Sequence, residues 1–204
     1  MCGICGIVED SGNPETNSGF VRKMCDSMRH RGPDDEGVYV YRSKPCAVLG
    51  HRRLSIIDLS KAGHQPLSNE DNTIWIVLNG EIYNYHELRA EMEARGHIFK
   101  SHTDTEAVVH LYEEYGEDCV KHLRGMFAFA IWDENKKTLL LARDRVGKKP
   151  LLYSHSCSKF CFASEFSSLL QNSHIRKNIN YDAIHFYLTL GYIPAPLTIY
   201  DGVF

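Results

Sequence analysis

The chain begins Met1-Cys2-Gly3-Ile4-Cys5-Gly6-Ile7-Val8, which places a thiol directly behind the initiator methionine and ahead of an apolar run. Removal of Met1 would leave Cys2 with a thiol and a free α-amino group on one residue. Because the amine has a pKa of about 8 and the thiol of about 8.5, part of the amine is unprotonated at neutral pH and can take the proton of the thiol. The opening therefore predicts a nucleophile with its own base. A buried structural cysteine is the alternative, since cysteine is among the most buried residue types.

Five further segments combine glycine, arginine and polar residues in a manner typical of a binding site. They are Arg29-His30-Arg31-Gly32-Pro33-Asp34, His51-Arg52-Arg53-Leu54-Ser55-Ile56-Ile57-Asp58, Leu78-Asn79-Gly80-Glu81-Ile82-Tyr83-Asn84, Ser101-His102-Thr103-Asp104-Thr105-Glu106 and Ala142-Arg143-Asp144-Arg145-Val146-Gly147-Lys148-Lys149-Pro150-Leu151. Together with Met1-Cys2-Gly3-Ile4, they resemble the glutaminase half of glutamine-hydrolysing asparagine synthetases, a class II (N-terminal nucleophile) glutamine amidotransferase domain. The resemblance covers nearly the whole chain and rests on the order of several segments, each of which would be weak alone.

The resemblance implies a chemistry for Cys2. Its thiol would attack the side-chain carboxamide of glutamine to give a thioester, ammonia would leave, and water assisted by the α-amine would release glutamate. The tetrahedral oxyanion would be bound by the side-chain amide of Asn79 and the backbone N–H of Gly80. From the residues alone, Asn79-Gly80 is also the commonest signal for a tight hairpin turn.

The resemblance also implies residues that hold the two α-groups of free glutamine. Arg53 would bind the α-carboxylate through paired hydrogen bonds, and Asp104 with Glu81 would bind the α-ammonium group. The remaining residues implied in substrate binding are Leu54, Ser55, Ile56, Ile57, Asn79 and Gly80. A surface ion pair is the alternative for Arg53, and an acidic first helical turn is the alternative for Asp104.

Other polar residues of these segments receive no catalytic step. An N-terminal nucleophile does not need a histidine partner, so we expect structural roles for His30, His51, His64 and His102. Segments 29–34 and 144–151 also receive none, and Lys148 stands where the family commonly has an apolar residue.

Composition and charge exclude two classes of function. The net charge is −3 with no basic stripe, so we expect no nucleic-acid binding. No run approaches the roughly 18 to 20 apolar residues that cross a bilayer, so we expect no membrane insertion. The seven cysteines lack the spacing of a secreted disulfide scaffold, so we expect reduced thiols in a cytoplasmic protein.

Two cysteine pairs, Cys2-x-x-Cys5 and Cys157-x-x-x-Cys161, offer soft ligands for zinc. Cys2, Cys5 and Cys161 lie in or beside apolar runs that are typical of strands rather than of zinc knuckles. We therefore expect no metal site.

Hydrophobic periodicity predicts strands that alternate with helices. Strands are expected over residues 3–9, 37–41, 46–53, 72–79, 126–133 and 137–143, and near Leu151 and Phe160. Helices are expected over residues 18–29, 85–96 and 181–191, and before Gly116. The run 73–78 is apolar on both faces, which predicts a central strand covered on both sides. This mixed order with many hairpins favours an α+β fold of antiparallel sheets packed with helices, and the resemblance adds a four-layer αββα sandwich.

The resemblance divides the chain into a glutaminase domain, residues 1–175, and the start of a linker into a missing C-terminal synthetase domain, residues 176–204. The apolar end of the chain, residues 192–204, indicates a fragment of a longer protein.

Three functions remain open. The first is a glutaminase that supplies ammonia for ATP-dependent amidation of aspartate to asparagine. The second is the same glutaminase serving a sugar or polysaccharide acceptor, and the third is a catalytically silent interaction module of the same fold. We expect no cofactor for the glutaminase domain, and ATP and magnesium for the synthetase domain. The expected partners are L-glutamine and the synthetase domain, and a homodimer is compatible with the resemblance.

Overall fold

The computed structural model describes residues 1–156 and 158–204 and contains two antiparallel sheets between two helical layers. The strands are β1 (Gly3–Glu9), β2 (Asp35–Tyr41), β3 (Cys46–Arg53), β4 (Leu67–Ser68), β5 (Ile74–Ile82), β6 (Gly125–Asp133), β7 (Thr138–Arg143), β8 (Leu152–Ser156) and β9 (Lys159–Ala163). The helices are α1 (Pro14–Ser27), α2 (Tyr85–Ala94), α3 (Asp104–Tyr115), α4 (Phe166–Leu169) and α5 (Tyr181–Leu190), with short 3-10 helices at Lys61–Gly63 and Gly116–Lys121.

The first sheet has the strand order β2-β3-β1-β9-β8, and the second has the order β4-β5-β6-β7. One hydrophobic cluster fills the space between the sheets and contains Ile4, Leu49, Val77, Trp132 and Phe162. A second joins the first sheet to α1 and α4, and a third joins the second sheet to α2 and α3. Burial of each large apolar side chain contributes about 1.5 to 3 kcal/mol, so these three clusters hold four layers together. The predicted αββα sandwich is confirmed.

Strand register brings distant segments to one end of the sandwich. Gly3 pairs with Arg52, so Cys2 and Arg53 lie beside each other just past this pair. In the facing sheet, Asn79 pairs with Ala128 inside the β5–β6 ladder. The hairpin-turn alternative for Asn79-Gly80 is therefore wrong, because both residues lie within a strand.

The strand β5 is covered on both faces, as predicted from its continuous apolar run. Ile76 faces the helical layer and Val77 faces the other sheet, and both are fully buried. The strand continues to Ile82, beyond the predicted end at residue 79.

The helix α1 begins at Pro14 rather than at residue 18. The side-chain oxygen of Asn13 accepts hydrogen bonds from the N–H groups of Glu15 and Thr16 at 2.9 and 3.0 Å. Proline is favoured at the first helical position because its missing N–H has no partner there anyway. The cap and Pro14 together extend the helix over a polar turn that hydrophobic periodicity does not detect.

The remaining predicted elements are present, whereas β4 and α4 were not predicted because they span two and four residues. The helix α5 ends at Gly191, whose φ of 78° suits glycine. The chain then returns to β8, where Tyr153 and Phe204 exchange backbone hydrogen bonds of 2.8 Å. Of the helices described, none combines the length and apolar character needed to span a membrane.

Candidate active site

A cavity of about 200 Å³ lies where the start of β1, the end of β3 and the second half of β5 meet. Its lining contains the predicted residues Cys2, Arg53, Leu54, Ile56, Ile57, Asn79, Gly80, Glu81 and Asp104. Ser55 lies outside this lining, and its N–H donates to Asp34 Oδ2 at 2.8 Å. The fold therefore brings the predicted nucleophile, oxyanion donors and substrate ligands to one place, with Ser55 on the neighbouring surface.

The thiol of Cys2 lies against the backbone of Leu54. Its Sγ accepts from the Leu54 N–H at 3.4 Å and donates to the Leu54 carbonyl oxygen at 3.7 Å. Burial raises the pKa of the Cys2 thiol, and the Leu54 contact, the N-terminal ammonium group and Arg53 offset only part of this effect. Cys2 is thus a protonated thiol at neutral pH, and it needs a base to become a nucleophile.

The side chain of Asn79 is 1% exposed, and its Nδ2 is a buried donor with no hydrogen-bond partner among the residues described. Such an unpaired donor costs about 1 to 3 kcal/mol, so it points to a ligand. Gly80 follows it, and a Cβ there would clash with the Met126 carbonyl oxygen. Gly80 is therefore required by the close approach of β6, in addition to any role toward substrate.

Arg53 is 7% exposed, and its guanidinium group is held by two carbonyl groups of the following loop. Nη1 donates to the Ser60 oxygen at 2.9 Å, and Nη2 donates to the Asp58 oxygen. Gly63 leaves room for this group, because a Cβ at Gly63 would overlap Nη2. Within the described part of the chain, Arg53 forms no ion pair, so the surface ion-pair alternative is wrong. A buried, positioned cation of this kind suits a carboxylate ligand.

Asp104 and Glu81 place two carboxylates on the cavity. Asp104 Oδ2 accepts from the Ile82 N–H at 2.8 Å, which ties α3 to the end of β5. Burial raises the pKa of Asp104, the N–H groups of Ile82 and Thr105 oppose this, and the charge of Glu81 adds to it. Thr103, rather than Asp104, is the N-cap of α3. In the described residues neither carboxylate has a cationic side-chain partner, so a bound ammonium group would relieve their mutual repulsion.

Five polar lining residues are absent from the predicted set: Asp58, Gln65, Thr103, Thr105 and Lys149. Gln65 Oε1 accepts from the Leu78 N–H at 2.7 Å, and its Nε2 donates to Thr105 Oγ1 at 3.1 Å. Gln65 thus connects β5 to α3 behind the cavity. Thr105 falls in a segment that was recognised, but no sequence signal marks Gln65.

Segment 29–34 positions the N-terminus. Arg31 Nε donates to the Cys2 carbonyl oxygen at 2.8 Å, and its Nη1 forms an ion pair with Glu165 at 2.8 Å. Arg52 Nε donates to the Gly32 oxygen at 3.0 Å, on the side of β3 opposite to the side chain of Arg53. The role of this segment is therefore to hold Cys2 at the cavity.

Segment 144–151 is a loop folded around one carboxylate. Asp144 accepts from four N–H groups at 3.0 to 3.3 Å: those of Phe127, Val146, Lys148 and Lys149. These bonds hold the pKa of Asp144 below its ordinary value although burial favours the protonated form. The loop places Lys149 Nζ on the cavity, 3.6 Å from Met1 Sδ.

Among the described residues, the histidines and the cysteines other than Cys2 lie outside the cavity lining. His51 is fully buried, and burial lowers its pKa to about 3, so it is a neutral structural residue. Cys5 Sγ lies 3.6 Å from Cys25 Sγ, and Asn172 Nδ2 donates to Cys161 Sγ at 2.9 Å. Cys157, part of the second pair considered for zinc, lies outside the described residues.

The glutamine amidotransferase domain model matches residues 1–204 of this chain. A putative glutamine-hydrolysing asparagine synthetase 2 of Methanocaldococcus jannaschii is 42% identical, with 100% of this chain and 42% of that protein covered. Glutamine-hydrolysing asparagine synthetase 3 of Bacillus subtilis is 38% identical, with 100% of this chain and 33% of that protein covered. The solved structure of glutamine phosphoribosylpyrophosphate amidotransferase from B. subtilis has the same fold, with a TM-score of 0.66 and 24% identity. The match covers 82% of this chain and 42% of that one.

The chain spans less than half the length of these relatives. Its match to the domain model nevertheless extends from the first residue to the last. The chain belongs to the glutamine amidotransferase domain family.

Proposed function

We propose that this chain is a glutaminase domain that hydrolyses L-glutamine to L-glutamate and ammonia. The observation that carries the proposal is a cavity lined by Cys2, Asn79, Arg53, Asp104 and Glu81. Among the described residues, the Asn79 amide nitrogen has no hydrogen-bond partner and the Arg53 guanidinium group has no carboxylate partner. A thiol, an oxyanion donor, a cation and a carboxylate pair match the reacting group and the two α-groups of free glutamine.

The reaction proceeds through a thioester. The Cys2 α-amine takes the thiol proton, and the sulfur attacks the side-chain carbonyl carbon of glutamine. The Asn79 amide stabilises the oxyanion, and the protonated amine then gives its proton to the leaving ammonia. Water, deprotonated by the same amine, attacks the thioester and releases glutamate with the free thiol. The sum is glutamine and water to glutamate and ammonia.

Removal of Met1 is a condition of this mechanism. In the chain that retains Met1, the Cys2 nitrogen is part of the peptide bond to Met1. Met1 itself lines the cavity. The unprocessed chain therefore lacks the base and fills part of the glutamine site.

A glutamate-release assay tests the proposal. Intact mass first establishes that Met1 is absent, and the processed protein is compared with Cys2→Ala and with the matched control Cys46→Ala, a buried thiol in β3 away from the cavity. Cys2→Ala is expected to abolish glutamate release and Cys46→Ala to retain it. Equal rates for native protein and Cys2→Ala would remove Cys2 from the mechanism.

In the longer polypeptide, the ammonia is used by a C-terminal synthetase domain that forms asparagine from aspartate with ATP and magnesium. The names of the two asparagine synthetases support this acceptor. On this proposal residues 1–175 form the glutaminase domain, and residues 176–204 lead into the synthetase domain. If the acceptor is a sugar or a polysaccharide, the longer protein would hydrolyse glutamine without forming asparagine. If the domain is a silent module, it would not hydrolyse glutamine.

The exposed face of α5 is the proposed contact with that domain. α5 buries only Ala183, whereas Tyr187 and Leu188 are 57% and 78% exposed. A helix with a large exposed apolar surface marks an interaction site. We also propose that the protein is cytoplasmic, since its seven cysteines lack the spacing of a secreted disulfide scaffold.

A further inference from the structure

We propose that Glu70, His97, His110 and Glu113 form a structural zinc site beside the second half of α3. One ligand atom from each residue lies within 4.8 Å of the other three. The residues come from the β4–β5 turn, the segment after α2, and α3 itself. None of the four lines the active-site cavity. This site goes beyond the proposed glutaminase activity and does not depend on it.

The spacing of the four ligand atoms fits a tetrahedral zinc ion. Bonds of about 2.0 to 2.2 Å to nitrogen and oxygen separate tetrahedral ligands by about 3.4 Å. His97 Nδ1 lies 3.5 Å from Glu113 Oε2 and 3.8 Å from Glu70 Oε1. His110 Nδ1 lies 2.8 Å from Glu113 Oε2 and 3.6 Å from Glu70 Oε2. Of these four distances, the 2.8 Å one is shorter than tetrahedral spacing, so that pair must open by roughly half an ångström to admit the ion.

Hydrogen bonds from neighbouring residues orient three of the four ligand side chains. Glu113 Oε1 accepts from Asn69 Nδ2 at 2.8 Å, and Glu70 Oε1 accepts from the Ile98 N–H at 2.9 Å. His97 Nε2 lies 3.2 Å from Glu114 Oε1, so its outer nitrogen carries the proton and leaves Nδ1 free to bind. A carboxylate behind a ligating histidine is the usual way to set its tautomer.

His110 is the most deeply buried of the four residues, and its Nδ1 faces both carboxylates. It is 1% exposed, and its Nε2 has no hydrogen-bond partner in the described residues. The Glu106 carboxylate is 3.9 Å from this nitrogen, but its oxygens already accept from the N–H groups of Lys100 and Ser101. Zinc on Nδ1 would fix the proton on Nε2, which then faces the Glu106 carboxylate.

Charge balance also favours a cation. Glu70 and Glu113 converge on the two histidines, and in residues 1–156 and 158–204 neither carboxylate has a lysine or arginine partner. The nearby Arg95 is committed to Glu91 and Glu114. Two imidazoles and two carboxylates form a neutral complex with a divalent ion, and four protein ligands are typical of a structural zinc site.

The first test uses cobalt(II) as a spectroscopic substitute for zinc. Processed protein is stripped with EDTA and titrated with cobalt, and we expect one equivalent with the intense visible bands of tetrahedral nitrogen and oxygen coordination. A thiolate-to-metal charge-transfer band, or octahedral bands only, would overturn the proposal, because either places cobalt on cysteine or on loosely held water ligands. Zinc should then displace cobalt and raise Tm.

Variants assign the ligands. His97→Gln should abolish the tetrahedral spectrum and the zinc-dependent rise in Tm, whereas the exposed His174→Gln should change neither. Glu114 orients His97 without ligating zinc, and it also pairs with Arg95, so Glu114→Gln should weaken zinc binding about 10- to 100-fold without abolishing it. Retention of tight binding in His97→Gln would contradict the site.

A measurement on the unmodified protein tests the site even if a variant fails to fold. The ¹⁵N shifts of the two imidazoles should report zinc at Nδ1 and a proton at Nε2 in both His97 and His110. Two imidazoles that only gain and lose protons, with no change on zinc addition, would mean that the cluster is an ion-pair network.

Discussion

Asn79 is predicted to be dispensable for stability and essential for catalysis. Its Nδ2 is buried without a hydrogen-bond partner in residues 1–156 and 158–204, so truncation removes an unsatisfied donor together with the proposed oxyanion ligand. We expect Asn79→Ala to lower kcat for glutamine hydrolysis about 100- to 1,000-fold with little change in Tm. Steady-state kinetics and thermal unfolding measure the two effects. Asn135→Ala, on the exposed β6–β7 turn, is the control, and an unchanged kcat in Asn79→Ala would exclude the amide from the oxyanion site.

Arg53 is predicted to act on substrate binding rather than on the chemical step. Lysine retains the charge but loses the planar pair of donors, and a hydrogen bond to a charged group is worth about 1.5 to 3 kcal/mol. Arg53→Lys should therefore raise KM for glutamine about 10- to 150-fold, with a smaller effect on kcat. The neighbouring Arg52→Lys tests the orientation, since Arg52 pairs with Glu36 and faces away from the cavity. A KM that rises equally in both variants would mean general disruption of β3.

Residue chemistry decided which members of the site could be predicted from sequence. Cys2 was recognisable because a thiol behind Met1 has a specific chemical consequence, and Arg53 and Asp104 because they belong to recognised segments. Gln65 was missed because its role depends on contacts with Leu78 and Thr105, which only the folded chain brings together.

At the scale of elements, β3 carries a buried histidine that makes stability depend on pH. His51 Nε2 donates to the Leu78 oxygen at 3.1 Å across the two sheets, and burial lowers its pKa from 6.5 to about 3. Below pH 6.5 the unfolded chain binds one more proton than the folded chain at this residue, so its contribution to stability falls as pH decreases toward 3. Above pH 6.5 the contribution is constant.

We expect His51→Gln to flatten this dependence, because glutamine can keep the hydrogen bond without titrating. Unfolding by urea at pH 7.5, 6.5 and 5.5 measures it. The difference in free energy between native protein and His51→Gln should shrink as pH falls, whereas the exposed His155→Gln should show a constant difference. Parallel curves for native protein and His51→Gln would contradict the pKa shift.

The start of α1 shows why element boundaries escape hydrophobic patterns. Periodicity marks where a helix is buried, but Asn13 and Pro14 determine where it begins. Asn13→Ala removes two cap hydrogen bonds and should cost about 0.5 to 2 kcal/mol, or roughly 1 to 5 °C in Tm. Ser11→Ala, outside the cap, should leave Tm unchanged. An unchanged Tm for Asn13→Ala would mean that packing alone defines the helix.

For the whole molecule, the order of the four layers was predictable because each apolar face of a strand must be buried against another sheet or a helix. The run 73–78 predicted a doubly covered strand, and β5 lies in that position. The Glu70, His97, His110 and Glu113 cluster was not predictable, because its members come from three separate segments that only the folded chain brings together.

The exposed face of α5 leads to a prediction about the longer protein. If the synthetase domain covers this face, a charge at Leu188 should disturb coupling between the domains and leave the distant cavity intact. In the full-length chain, we expect Leu188→Asp to retain glutamine hydrolysis while the asparagine formed per glutamate falls several-fold. Val146→Asp is a matched control, since both side chains are 78% exposed and Val146 lies on a different surface loop. Both products are measured in one reaction by amino-acid analysis. A product ratio equal to that of Val146→Asp would show that α5 does not contact the acceptor domain, whereas loss of hydrolysis itself would show that the substitution acts on the glutaminase fold.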